Sequence, residues 1–106
     1  MVDAARIAPR PVIDGPLPNC LGYQQLDAAT LTSASSLTVP NGTTMVLLQA
    51  ESVAVRWRAD GTDPTTSVGM LIAAGGEVLY SAGLPALSAL RFIRAGAGAI
   101  LNVSYY

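Results

Sequence analysis

Apart from its tyrosines and one cysteine, the chain's ionisable side chains are seven carboxylates and six arginines, with no histidine and no lysine. Without histidine there is no Ser-His-Asp or Cys-His relay, and the commonest metal ligand is missing. Without lysine, Schiff-base chemistry and a phosphate-binding P-loop are excluded. What remains is carboxylate chemistry, which needs two acids facing each other across a cleft. Asp60 and Asp63 are close in sequence, but they flank Gly61 and Thr62 and precede Pro64, the composition of a solvated turn. The same loop offers a calcium ion two carboxylates and a hydroxyl, short of the six to eight oxygens it takes. Gly96 and Gly98 lack the third glycine of a dinucleotide fingerprint. Cys20 has no second cysteine to pair with, so it forms no internal disulfide. We therefore expect no catalytic residue, no metal and no cofactor, and a protein that is not an enzyme.

If the chain does no chemistry of its own, its side chains are there for packing and contact. Of its 106 residues 51% are hydrophobic and only 12% charged, about half the usual charged share of roughly 25%. Mean hydropathy is +0.43. A domain this small cannot wrap so much apolar surface around itself. The excess is expected to face another protein, where burial stabilises by ~25 cal/mol per Å². A net charge of −1 gives no field that draws the chain to nucleic acid or acidic lipid. No apolar run approaches the length of about 20 residues that spans a bilayer. Arg6, Pro9, Arg10 and Pro11 interrupt the place where a secretory leader would be apolar.

The elements that must present these contacts are short. Residues 1–20 carry Pro9, Pro11, Pro16 and Pro18, which oppose both helix and strand, so an extended arm is expected there. Residues 21–106 are expected to form one all-β domain, an antiparallel sandwich or jelly roll. Asn41-Gly42 marks a turn, and residues 44–50 are apolar on both faces, as in a strand covered twice. Val53, Val55 and Trp57 alternate with Ala54, Arg56 and Arg58, which sends Trp57 into a core and both arginines to the opposite face. Residues 68–73 read as a strand, with Gly75-Gly76 turning into its return over residues 78–81. Leu84-Pro85-Ala86-Leu87 reads as a bend or one helical turn. Residues 90–94 and 101–106 supply the last strands, joined at Ala95-Gly96-Ala97-Gly98.

The stretch Val55-Arg56-Trp57-Arg58-Ala59-Asp60-Gly61-Thr62-Asp63-Pro64-Thr65 resembles a class of small tailed-phage virion proteins. The resemblance continues in Gly69-Met70, in Leu90-Arg91-Phe92-Ile93 and in the closing Ala99-Ile100-Leu101-Asn102-Val103-Ser104-Tyr105-Tyr106. It covers residues 22–106 and points to head decoration, or cement, proteins: jelly-roll-like β domains clamped on the outside of a capsid. The resemblance implies a bacteriophage virion protein made in the host cytoplasm. Its partners would be the major capsid protein and further copies of itself, as dimer or trimer. Expected contact residues are Arg6, Arg10 and Ile13 of the arm, Met45 and Leu47, Arg56 and Arg58, and the terminal Tyr105 and Tyr106. Two other readings stand beside it: a neck, tail or fibre component, and a carbohydrate-binding module for host attachment.

Overall fold

The computed structural model describes residues 19–106. Arg6, Arg10 and Ile13, with residues 1–18 of the arm they belong to, lie outside the described residues. The remainder is built from seven strands: β1 (Gly22–Leu26), β2 (Met45–Ala50), β3 (Val55–Arg58), β4 (Met70–Ile72), β5 (Glu77–Ser81), β6 (Arg91–Arg94) and β7 (Leu101–Tyr105). A 3-10 turn spans Thr30–Thr32 and a single helical turn, α1, spans Leu84–Ser88. Among the described residues no helix is long and apolar enough to cross a membrane.

All the pairing is antiparallel. One sheet runs β1-β7-β2-β5 and the other β4-β3-β6. The all-β class, the alternation through Trp57 and the helical turn near Pro85 are as expected. Two expected hairpins are not. Gly75 and Gly76 do turn the chain, but they carry it out of the three-stranded sheet, and β5 pairs with β2 rather than returning along β4. Residues 95–98 likewise connect β6 of one sheet to β7 of the other. The physical reason is the core: Val78 and Tyr80 pair in register with Leu48 and Val46, so their apolar sides join β2's inward row. Asn41-Gly42 also makes its turn, with the Thr43 N–H donating to the Pro40 carbonyl at 3.3 Å and Gly42 at φ 86°. Among the described residues no strand leads directly into this turn to form a hairpin, and β2 already has β5 on one side and β7 on the other.

One apolar cluster takes residues from both sheets. Val46, Leu48, Ala50, Leu101, Val103 and Tyr105 enter it from the larger sheet; Val55, Trp57, Ile72 and Phe92 enter from the smaller. The Trp57 and Tyr80 rings meet edge to face across the gap, centroids 5.6 Å apart, a favoured aromatic geometry. Leu31 of the 3-10 turn, Leu37 of the loop after it, Leu87 of α1 and Leu90 just before β6 join the same cluster. Trp57 is the core anchor that its alternation required.

Candidate functional site: two sheet faces and a free edge

Strand parity sorts the expected contact residues onto different surfaces. On β2 the even residues Val46 and Leu48 point inward, leaving Met45, Leu47 and Gln49 on the outer face of the larger sheet. Leu47 is half-buried there, in register with Leu79 on β5 and Ser104 on β7. Met45 shares the face yet is only 5% exposed, so it is not available to a partner. Its neighbours on that face differ from those of Leu47: Ser81 pairs with it on one side, and on the other Tyr106 stands directly opposite, exchanging backbone hydrogen bonds with it and placing a large ring on the same face. Tyr106 is half-buried.

Tyr105 is a second correction. It alternates with Leu101 and Val103 on the inward side of β7 and is 1% exposed. Its hydroxyl donates to the Gln24 side-chain oxygen, which also accepts the Thr38 N–H at 3.0 Å. Burial pushes its phenol pKa up to about 12. Tyr105 belongs to the core.

Next to Leu47 the outer face of the larger sheet is a closed polar ladder. The Asn102 side-chain oxygen accepts from the Tyr23 hydroxyl and from the Gln25 amide. Its nitrogen donates to Gln49 at 3.3 Å and to Glu51 at 2.9 Å. All of this amide's polar capacity is used inside the face. Tyr23 lies over it, 62% exposed.

Arg56 and Arg58 fall where their alternation sends them, on the outer face of the smaller sheet. Arg56 stands in register between Leu71 on β4 and Ile93 on β6, and Arg58 opposite Arg91. The Arg56 side chain lies against the protein, its Nη1 donating to the Gly69 carbonyl at 3.0 Å while its buried Nε has no acceptor. Gly69 can offer that carbonyl because it adopts φ 136°. A Cβ there would come within 3.1 Å of the Trp57 carbonyl oxygen. Arg58 forks onto the Asp60 carboxylate, which also accepts the Thr62 N–H. That hydrogen bond holds the Asp60 carboxyl below its ordinary range and raises the Arg58 pKa. Arg91 lies 3.9 Å from Asp63. The two acidic residues of this loop thus serve arginines rather than each other. Among the described residues no three His, Cys, Asp or Glu side chains gather as a metal site would require. Cys20 is exposed, its thiol 3.4 Å from the Gly22 carbonyl.

Beside this arginine face runs a surface that strand-by-strand reading missed. Val68, Met70 and Leu71 are 53%, 61% and 51% exposed, and among the described residues β4 pairs with β3 alone. The sequence does carry a signal for it, since no charged residue lies between Asp63 and Glu77. No family model matches the sequence, and neither does a curated protein or a solved structure.

Proposed function

We propose that this chain is a structural virion protein of a tailed phage, a decoration protein that binds the major capsid protein on the outer surface of the head. The observation that carries the reading is the outer face of the smaller sheet. There an apolar row, Leu71 and Ile93, brackets the half-buried Arg56 stem, with two arginine–carboxylate pairs beside it. Interface cores favour this mixture, because arginine brings apolar area together with directed donors. The resemblance over residues 22–106 supplies the phage assignment and the finer jelly-roll expectation. Residues 1–20, with Arg6, Arg10 and Ile13, add a second contact to a capsid subunit in this proposal.

The work done is mechanical. A clamp that binds only assembled shell stabilises that state by mass action, and linked copies raise one another's effective concentration. The test is co-sedimentation of the purified protein with undecorated heads. We expect saturable binding at hundreds of copies per head, at least ten-fold weaker for Arg56→Glu and for a deletion of residues 1–20. Binding that neither change weakens would remove both surfaces from the proposal; no binding to heads would remove the function. A handful of copies would favour a neck or tail part instead. The carbohydrate-binding reading has one observation in its favour, the exposed Tyr23 ring, and glycan-array binding lost in Tyr23→Ala would establish it.

A further inference from the structure

We infer that β4 is a self-pairing edge, where two copies of this chain join antiparallel to make one continuous six-stranded sheet, β6-β3-β4 with its symmetry mate. A sheet edge exposes backbone N–H and C=O groups that template another strand, and proteins normally blunt such edges with charge, proline or a covering loop. The other edge of this sheet is covered. Ser35 bridges β6, its N–H donating to the Phe92 carbonyl at 2.8 Å and its carbonyl accepting the Phe92 N–H at 2.9 Å. The 3-10 turn lies against the same strand. Among the described residues β4 has neither device; it carries no charge or proline, and Val68, Met70 and Leu71 are displayed along it.

The occupant is a second copy because the segment is complementary to itself. With a two-fold axis through Leu71, Leu71 meets Leu71 of the second copy and Met70 meets Ile72; the Gly69 and Ala73 carbonyls, which already accept from the Arg56 guanidinium and the Gly76 N–H, mark the ends of the pairing. No charge opposes a like charge anywhere in residues 65–76, and a charged partner strand would find nothing to pair with. The register also accounts for Met70. It points to the inward side with Trp57, yet it is 61% exposed where Trp57 is 7%; across the axis it would extend the inward row next to the buried Ile72 of the other copy. Since β6 is closed, growth through the smaller sheet stops at two copies. This pairing goes beyond the capsid assignment and does not rest on it: it is read in pure protein with no heads present.

The test is sedimentation equilibrium of the full chain over a concentration series, with Leu71→Lys and Met70→Lys compared after circular dichroism has established that they fold. We expect a monomer–dimer equilibrium that either lysine weakens at least ten-fold. As an independent readout, Leu71→Cys in a Cys20→Ser background should oxidise to a covalent dimer, since directly opposed Cα atoms in antiparallel strands lie about 4.5–5.5 Å apart, within disulfide reach. Val68→Cys in the same background should not. A chain monomeric at every concentration, a dimer indifferent to both lysines, a trimer or open-ended oligomer, or equal cross-linking at positions 68 and 71 would overturn the inference.

Discussion

Tyr105 shows how one buried hydroxyl makes a pH-dependent contribution. A tyrosine in an unfolded chain ionises near pH 10, whereas burial pushes Tyr105 to about 12. The raised value favours the neutral form, so the stabilisation is fully present below the unfolded pKa. It is lost as pH rises through the window from about 10 to about 12. Wild-type unfolding free energy should fall by something on the order of 2 kcal/mol across that window from this group. Tyr105→Phe keeps the ring but gives up the bond to Gln24, which costs about 1 kcal/mol at neutral pH. Its alkaline decline should be shallower by the Tyr105 contribution. Urea titrations at several pH values measure both effects, and parallel declines in the two proteins would show that Tyr105 does not ionise on unfolding. The residue also shows what a sequence makes legible. The alternation Leu101, Val103, Tyr105 places Tyr105 inward, which is incompatible with a contact residue at that position. For Val55, Arg56, Trp57 and Arg58 the parity of the sequence and the faces in the structure agree.

Strands are legible as segments because period-two alternation is local, but their partners are not, because pairing is decided by the shared core. Residues 68–73 and 78–81 flank a Gly-Gly turn and look like a hairpin, yet β4 and β5 belong to different sheets. A diglycine bends the chain equally well within a sheet or between two. The exposed edge was hidden for a related reason. An apolar run reads as core until its neighbours are known, and only its want of charge between Asp63 and Glu77 distinguishes Val68, Met70 and Leu71. The closure of β6 can be tested at this scale. Proline in place of Ser35 removes the N–H that bonds the Phe92 carbonyl, and an unpaired buried acceptor costs roughly 1–3 kcal/mol. Ser35→Pro should therefore lower the urea midpoint and leave both edges of the smaller sheet open. Multi-angle light scattering should then find species larger than a dimer; a destabilised variant that never exceeds a dimer would mean that Ser35 does not guard that edge.

At the scale of the molecule, a chain with 51% hydrophobic residues buries one core between two sheets and still leaves Leu21, Tyr23, Val68, Met70 and Leu71 exposed. Seating those groups against other proteins connects the composition to the proposed clamp. A ligand that binds one state adds RT ln(1 + [L]/Kd) to it, about 2.7 kcal/mol per site at a hundred-fold excess over Kd. For a decoration protein the favoured state is the closed shell, under strain from the DNA packed inside. DNA-filled heads mixed with increasing protein should release their DNA at progressively higher temperatures, with the shift following the logarithm of concentration once sites are filled. Copies joined through β4 tie neighbouring sites together, so dissociation of one is opposed by its mate. Leu71→Lys, at concentrations chosen for equal occupancy, should then protect less than wild type, while Arg56→Glu should protect only in proportion to the sites it still fills. Fluorescence of a DNA-binding dye during a thermal ramp follows the release. Equal protection by Leu71→Lys and wild type at equal occupancy would separate the clamp from the edge, leaving each copy to act on the shell alone.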